Sequence, residues 1–473
     1  MSRESKLAKN TLILSIGTFL PKLAAFVTLP ILTGSLSKEE YGTYDLVTIL
    51  VSLILPSATL QIQTAAFRFL IDVRKDEDQT KKIITNIFAF IIPTSSIALI
   101  VLWFFLPGDT IDKALICAYF MADILVNGAR QVSRGLHKNF DFSISAIVSA
   151  LGKMVFAVIF VWFLHIGLTG ALVALLAASF ISFIVLVLKA KLYIYIDPSL
   201  ISWQEMKRLI TYSWPMVPNC MSMWIMKVSD RFVVTAFIGI SANAVYSVAN
   251  KIPSLLTLAQ TTFTMAWQEN ASIVSKDDDV EEYYSSMFRT IFNLMAGFLG
   301  LLICATPLLF MILIRGDYNA AYYQMPILFL AMFFYSQCSY FGGIYVAYKK
   351  TKSVGVTTML SAACNLLVDL ALIKFIGLYA ASGSTLISYL LLFVYRAVDV
   401  RKLVKIRYNI PHILIVIGIL VLESFLCYLR MPLLNVVNII LGVTVFFILN
   451  KSFVRSIIKG IPKAFNKFFK RKG

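Results

Sequence analysis

Apolar segments of about 20 to 30 residues, separated by short polar joins, follow one another along the whole chain. A helix of about 20 apolar residues crosses the roughly 30 Å hydrocarbon core of a bilayer. The pattern therefore predicts an all-α polytopic membrane protein with about 14 transmembrane helices. Their predicted bounds are 9–34, 41–70, 83–106, 112–136, 142–165, 168–189, 208–238, 241–268, 285–314, 322–348, 353–375, 378–400, 411–430 and 432–450.

Three stretches in the first part of the chain have counterparts, in the same order, further along. The matched pairs are 32–50 with 234–252, 134–151 with 346–363, and 166–179 with 376–389. The first pair aligns without a gap and places Tyr44 on Tyr246. This order predicts two six-helix lobes related by a pseudo-two-fold axis along the membrane normal. The predicted domains are an N-terminal lobe (1–200), a C-terminal lobe (201–404), an additional transmembrane helix pair (405–450) and a basic amphipathic cytoplasmic tail (451–473).

The composition supports a membrane protein and leaves no soluble domain of useful size. Hydrophobic residues make up 59% of the 473 residues, and the mean hydropathy is +0.80. Only 14% of residues are charged, against a soluble average of about 25%. The net charge of +18 indicates Lys and Arg gathered in cytoplasmic loops rather than a nucleic-acid partner. Because loops rich in Lys and Arg alternate along the chain with loops that hold only Lys38, Arg315, Lys374 and Arg430, both termini are predicted to be cytoplasmic.

The end of the chain carries a basic residue at every fourth position, interleaved with Phe and Ile. These basic residues are Lys451, Arg455, Lys459, Lys463 and Lys467. Such a period predicts an amphipathic helix that lies on the cytoplasmic leaflet.

Basic side chains inside the apolar segments are functional candidates, because a charge in the bilayer interior is costly. Lys22 lies mid-segment and shares one helical face with Thr11, Ser15 and Thr18, so this face is expected to meet protein or water. The candidate substrate-binding cations are Lys22, Arg130, Lys153, Lys227, Arg231 and Lys251. The structural alternative is that each cation pairs with an acid or extends to the membrane surface.

Acidic side chains within the segments form a second set of candidates. They are Asp45, Asp123, Asp230 and Asp369. A buried carboxylate can bind a coupling ion, H⁺ or Na⁺, or it can balance the charge of a nearby base. Asp230 lies three residues after Lys227, a spacing at which side chains pair on one helix. Both interpretations stay open for this set. Glu423 lies outside the repeat and is assigned no functional role.

Motifs for catalysis, redox chemistry or metal binding are absent from the sequence. The six cysteines lie singly within apolar segments, where they are typical of small core residues. The three histidines have no metal-ligand spacing. Walker A, HExxH, CxxC and GxSxG patterns do not occur. The sequence therefore predicts a protein that is not an enzyme and has no cofactor or metal.

Three stretches resemble one known family. They are GTFLPKLAAFVTLPILTGSLSKEEYGTYDLVT near the N-terminus, AAFRFL at 65–70 and RGLHKNF at 134–140. They look like the polysaccharide transporter (Wzx-type) family of the multidrug/oligosaccharidyl-lipid/polysaccharide (MOP) flippase superfamily. The most specific part is the turn LSKEEYG at 36–42.

The resemblance implies a function, a location and partners. It implies flipping of undecaprenyl-pyrophosphate-linked oligosaccharide units across the bacterial plasma membrane, by alternating access between two lobes, for O-antigen, capsule or exopolysaccharide synthesis. The implied partners are this lipid-linked substrate, membrane lipids, and the polysaccharide polymerase and chain-length regulator of such a pathway.

Two alternatives remain. The first is a cation-coupled multidrug exporter of the same superfamily, for which clustered deep acids would be expected and against which the deep Lys and Arg residues argue. The second is a membrane-embedded polymerase or ligase of the same pathway, which would need a large outer loop with catalytic residues; the predicted outer loops are all short.

Overall fold

The computed structural model describes residues 20–73, 76–275, 277–451 and 454–455, and all regular secondary structure in these ranges is helical. The helices are α1 (Leu20–Ser35), α2 (Lys38–Thr59), α3 (Ile62–Val73), α4 (Glu77–Phe105), α5 (Thr110–Gly135), α6 (Asn139–Ala157, continued by a π-helical stretch Val158–Phe163), α7 (Gly167–Lys189), α8 (Trp203–Ser213), α9 (Met216–Phe237), α10 (Ile240–Lys251), α11 (Leu255–Val274), α12 (Val280–Leu313), α13 (Asn319–Ala347), α14 (Thr351–Ile376), α15 (Leu378–Asp399), α16 (Ile410–Leu429) and α17 (Pro432–Leu449).

The predicted all-helical membrane architecture is confirmed. Within the described ranges, ten helices are long and apolar enough to cross a membrane. The count of 14 helices stays a prediction. The tail 451–473 is described only at 451 and 454–455, so its predicted amphipathic helix lies outside the described residues, as does the first part of the segment 9–34.

One predicted segment, 41–70, is divided into α2 and α3. Leu60 and Gln61 have φ angles of 46° and 58°, which breaks the helix. The freed backbone groups find side-chain partners: Ser213 donates from Oγ to the Leu60 carbonyl at 2.9 Å, and Thr64 donates from Oγ1 to the Gln61 carbonyl at 2.8 Å. A break inside a membrane protein is tolerated when the backbone is satisfied in this way.

Two further predicted segments are divided at prolines. The segment 208–238 consists of α8 and α9, which meet near Pro215, and the segment 241–268 consists of α10 and α11, which meet near Pro253. Proline lacks an N–H donor and clashes with the preceding turn, so it ends a helix where no other group compensates.

Contacts divide the chain into two compact units, of which the first contains residues 1–244 and 313–317. Its core holds apolar residues of α3, α4 and α5, among them Ile62, Ile87 and Val132, which are all fully buried. The unit also contains α8 and α9, which the repeat assigns to the second half. The predicted lobes 1–200 and 201–404 stay a prediction.

The turn that leads into α2 is fixed by a capping box. Ser37 Oγ accepts from the Glu40 N–H, and the Glu40 carboxylate accepts from the Ser37 N–H at 2.8 Å. This reciprocal pair satisfies two helix-terminal donors. Glu40 also accepts from the N–H of Leu168 at the start of α7, at 3.0 Å. One carboxylate therefore joins the LSKEEYG turn to a second membrane helix.

Close approach of backbone explains the glycine in the same turn. A Cβ on Gly42 would lie 2.3 Å from the carbonyl oxygen of Ile240, the first residue of α10. Asn243 donates from Nδ2 to the Gly42 carbonyl at 3.3 Å. Only glycine permits this contact between α2 and α10.

The second unit contains residues 245–312 and 318–473. Helix α13 lies at its centre and packs against α11, α14, α15 and α16. Trp267 is buried beside α13, where its ring stacks on Tyr340 at a centroid distance of 4.7 Å and its Nε1 donates to the Tyr340 carbonyl at 2.8 Å. The predicted additional helix pair is observed as α16 and α17, which pack against each other.

Candidate cation site in the first unit

A row of polar residues on α5 faces α6 and α7. Asp123, Asn127 and Arg130 lie at spacings of four and three residues, so they occupy one face of the helix. Asn127 donates from Nδ2 to the Asp123 carboxylate at 2.9 Å. Asp123 is half-buried and forms no ion pair with any described cation.

Arg130 links three helices of the first unit. Its Nε donates to Ser145 Oγ on α6 at 3.0 Å, and its Nη2 donates to the Ser145 carbonyl at 3.1 Å and to Ser182 Oγ on α7 at 3.2 Å. The guanidinium is thus engaged by neutral acceptors. These three hydrogen bonds join α5 to α6 and α7.

Lys153 lies on α6, well inside a 25-residue apolar span. Its Nζ lies 5.5 Å from the centroid of the Tyr119 ring on α5, within the range of a cation–π contact. Asp123 and Arg130 are close enough to act electrostatically on it, but it forms no ion pair within the described part of the chain. Lys153 is therefore a half-buried ammonium that lies over an aromatic ring.

Lys22 lies on α1, where its side chain is exposed. It has no ion-pair partner among residues 20–73, 76–275, 277–451 and 454–455. The predicted polar neighbours Thr11, Ser15 and Thr18 lie outside the described residues, so the polar stripe itself stays a prediction.

Asp45 and Arg231 form an ion pair between α2 and α9. The Asp45 side chain is 3% exposed and the Arg231 side chain is 16% exposed. Both residues were candidates, one as a coupling acid and the other as a substrate cation. The contact favours the structural alternative for both, because each neutralises the other.

The remaining candidates are spread over the two units. The backbone of Lys227 lies on α9, and its side chain is outside the description. Asp230 is buried on the same helix. In the second unit, Lys251 is half-buried at the end of α10 and Asp369 is fully buried on α14. In the described part of the chain, Asp123, Arg130 and Lys153 lie near one another in the first unit, and Asp45 pairs with Arg231.

One buried cation of the second unit was missed. Arg396 on α15 is 4% exposed. Its guanidinium donates to the Cys338 carbonyl on α13 at 3.0 Å, and on α14 to Thr357 Oγ1 and Thr358 Oγ1, both at 2.9 Å. The repeat offered a signal: it aligns Thr357 with Ser145, the hydroxyl that receives Arg130 in the first unit.

One buried acid, Glu423, has no function predicted from the sequence. Glu423 on α16 is 0% exposed, and neither carboxylate oxygen has a hydrogen-bond partner among the described residues. A Cβ on Gly300 of α12 would lie 2.8 Å from Oε2, so the carboxyl lies directly against the backbone of α12.

Comparison with known families gives the identity of the fold. The family model described as "Polysaccharide biosynthesis protein" matches residues 7–268, more than half of the chain. The chain belongs to this family. No curated protein matches the sequence.

Solved structures of transporters share the fold of this polysaccharide biosynthesis protein. It is similar to "Lipid II flippase MurJ, inward closed conformation", with a TM-score of 0.71 and 15% identity over 94% of this chain and 100% of that chain. It is also similar to the "Inward-facing conformation of a multidrug resistance MATE family transporter of the MOP superfamily", with a TM-score of 0.64 and 13% identity over 83% of this chain and 98% of that chain.

A third structure with this fold comes from Pyrococcus furiosus. It is the "MOP superfamily transporter from Pyrococcus furiosus", with a TM-score of 0.56 and 12% identity over 84% of this chain and 95% of that chain. Together the family and the fold confirm the predicted resemblance. This polysaccharide biosynthesis protein has the fold of multi-pass membrane transporters of the MOP superfamily.

Proposed function

We propose that the protein flips undecaprenyl-pyrophosphate-linked oligosaccharide repeat units from the inner to the outer leaflet of a bacterial plasma membrane, for surface polysaccharide synthesis. Its family supports a role in polysaccharide synthesis, and its fold is that of a lipid-linked substrate flippase. In this proposal both termini are cytoplasmic, and transport proceeds by alternating access. A polymerase and a chain-length regulator act on the delivered substrate.

The observation that carries the proposal is that Lys153 lies inside a membrane span without an ion-pair partner in the described part of the chain. A pyrophosphate headgroup carries several negative charges, and burying an unpaired ion is very costly. A fixed cation on the path lowers this cost. Lys153 is held inside a membrane span by Tyr119 without an ion pair in the described chain, so its charge is available to an anion. Lys22 is exposed and also has no ion-pair partner among the described residues, so its charge is available to an anion too.

The other candidate cations have different roles in the proposed transport. Arg130 keeps hydrogen bonds to Ser145 and Ser182, so it would position the α5–α6 surface and meet phosphate only after a change in packing. Lys227 and Lys251 stay candidate substrate contacts. Coupling to an H⁺ or Na⁺ gradient through Asp230 or Asp369 stays part of the proposal, since both carboxyl groups are buried.

The test replaces single cations and measures the substrate itself. Lys153→Gln and Lys22→Gln remove one charge each and keep a polar side chain. We expect lipid-linked oligosaccharide to accumulate in the inner leaflet at normal protein abundance, with transport reduced about tenfold or more, a loss equivalent to roughly 1.4 kcal/mol of barrier. Lys189→Gln, an exposed lysine at the end of α7, is the matched control and should transport normally.

A second substitution separates the substrate contact from a structural pairing. Asp123→Asn is combined with Lys153→Gln, since Asp123 acts electrostatically on Lys153. Recovery of transport in the double variant would mean that Lys153 serves only to balance Asp123, and the proposal would fail for this residue. Continued loss in a folded protein supports the headgroup contact.

A second candidate function is cation-coupled export of small molecules. The fold likeness to a multidrug resistance transporter and the buried acids Asp230 and Asp369 favour it. Asp369→Asn would abolish such export and leave the amount of lipid-linked oligosaccharide in each leaflet unchanged. Accumulation of the lipid-linked substrate in a deletion strain, cured by the intact gene, decides against this candidate.

A further inference from the structure

A cavity of about 220 Å³ opens in the second unit between the first half of α12 and the segment that leads into α16. Its polar lining comes from Arg289, Arg407, Asn409 and His412. Phe288 and Phe292 form part of its apolar wall. The cavity is large enough for a phosphate group with a small substituent, and no carboxylate is among its lining residues.

The segment 407–409 is held in place by hydrogen bonds to α12 and α15. The N–H of Arg407 donates to Ser285 Oγ at 2.9 Å. Tyr408 donates from its hydroxyl to the Ala397 carbonyl at 2.8 Å, and its ring meets Phe288 edge-on at 5.1 Å. Burial raises the pKa of the Tyr408 phenol, so it remains a neutral donor. This wall of the cavity is therefore built before any ligand arrives.

The start of α16 also lines the cavity. Asn409 caps the helix, because its Oδ1 accepts from the His412 N–H at 3.2 Å. His412 Nε2 lies 2.7 Å from Asn293 Oδ1 on α12, which fixes the imidazole between the two helices. A helix N-terminus also presents partial positive charge to an anion.

The cavity lining contains two arginines and no acidic side chain. The guanidiniums of Arg289 and Arg407 have neither an ion-pair nor a hydrogen-bond partner in the described part of the chain. Both residues are exposed. Two free guanidiniums beside a helix N-terminus favour a phosphate group, to which arginine donates in parallel pairs.

The surface beside the cavity is apolar. On α16, Ile410, Leu414 and Ile415 are 53%, 63% and 62% exposed, and α16 is one of the helices able to span a membrane. A ligand that fits both surfaces has an anionic head and an apolar tail. Basic pockets between membrane helices bind the headgroups of anionic lipids for the same reason.

We propose that this cavity holds the phosphate headgroup of an anionic membrane phospholipid, with Arg289 and Arg407 on the phosphate and the acyl chains along α16. The lipid would join α12 to α16 and so fix the α16–α17 pair to the rest of the second unit. This inference does not depend on the proposed transport function, since it concerns a resident lipid and not the transported one.

The experiment measures lipid bound to the full chain. The protein is placed in nanodiscs of phosphatidylglycerol mixed with phosphatidylcholine, purified, and analysed by native mass spectrometry, and its Tm is recorded with and without phosphatidylglycerol. We expect the intact protein to retain phosphatidylglycerol selectively and to gain Tm from it. The Arg289→Gln/Arg407→Gln variant should retain about tenfold less, because two charge-assisted contacts are lost.

The matched control removes the same charge from the same region. Arg401→Gln/Lys405→Gln changes two exposed side chains that do not line the cavity, and it should keep both the retained lipid and the gain in Tm. Equal loss in the control would show general attraction to anionic bilayers and would overturn the site. Unchanged retention in the cavity variant would overturn it as well.

Two further measurements test whether charge explains the retention and whether the ligand is a lipid or a free anion. Arg289→Lys/Arg407→Lys keeps the charge, so partial retention is expected even if the Gln variant folds poorly; no retention at normal Tm in phosphatidylcholine would contradict a site based on charge. Inorganic phosphate is added in phosphatidylcholine nanodiscs. If it raises Tm as much as phosphatidylglycerol does, the cavity is a free-anion site and the lipid proposal is wrong.

Discussion

Arg231 on α9 forms an ion pair with Asp45 on α2, and both side chains are largely shielded from solvent. The pair joins two helices that are 186 residues apart in sequence. Burying either charge alone would cost free energy, and in the pair each charge neutralises the other. The stronger candidates for substrate contact are therefore Lys22 and Lys153, which have no ion-pair partner among the described residues.

Breaking this ion pair should destabilise the protein. Asp45→Asn leaves the Arg231 charge without its carboxylate, which costs about 3 to 5 kcal/mol when a buried pair loses one member. We expect lower membrane abundance and a clearly lower Tm in detergent. Asp45→Asn/Arg231→Gln should recover much of the loss, since no charge is left unpaired. A double variant as unstable as the sum of both single variants would contradict a direct pairing.

Arg396 should be a structural residue of the second unit. Arg396→Leu leaves the Thr357 and Thr358 hydroxyls without their charged donor, and hydrogen bonds to charged groups contribute about 1.5 to 3 kcal/mol each. We expect a fall in stability of at least about 3 kcal/mol, measured by thermal or denaturant unfolding. Arg396→Lys should rescue little, because one ammonium cannot reach acceptors on both α13 and α14 in the manner of a planar guanidinium.

Gly42 and Gly355 provide a matched pair of glycine substitutions. Gly42→Ala forces a Cβ against the Ile240 carbonyl, and overpacking of this kind costs about 1 to 3 kcal/mol. A Cβ on Gly355 of α14 meets nothing within 4 Å, so Gly355→Ala should be neutral or stabilising by up to about 1 kcal/mol. Equal effects on Tm would show that the contact between α2 and α10 is not tight.

Sidedness follows from the loop charges and can be measured directly. Single cysteines at Thr110 and Thr351, in a variant without the six native cysteines, should react with an impermeant maleimide from opposite sides of the membrane. Position 351 should be accessible only from the cytoplasm. Labelling of both from the same side would contradict the predicted arrangement of membrane segments.

Many segments could be read from the sequence because apolar length is a local property. The segments 168–189, 378–400 and 432–450 correspond to helices α7, α15 and α17 within one residue. The break at Leu60–Gln61 could not be read in this way. Both residues have positive φ without being glycine, and the Leu60 carbonyl at the break accepts from the hydroxyl of Ser213, 153 residues away.

The candidate site was predictable only in part, for a related reason. Deep charges can be found from their position in an apolar segment, so Arg130, Lys153, Asp45 and Arg231 were found. Which of them pair depends on contacts between helices far apart in the chain. Arg396 was missed because it lies near the predicted end of its segment, where an arginine usually extends to the membrane surface.

The two arginines that join helices, Arg130 and Arg396, also limit how segments of this protein can be exchanged between the two repeats. Each is bound by a repeat-related hydroxyl, Ser145 or Thr357, but Arg130 is supplied by α5 and Arg396 by α15. Extending the repeat alignment places Gly342 of α13 opposite Arg130, and Leu186 of α7 opposite Arg396. A chimera that grafts α13 in place of α5 would therefore leave the Ser145 site empty, and the reverse graft would place two guanidiniums at Thr357.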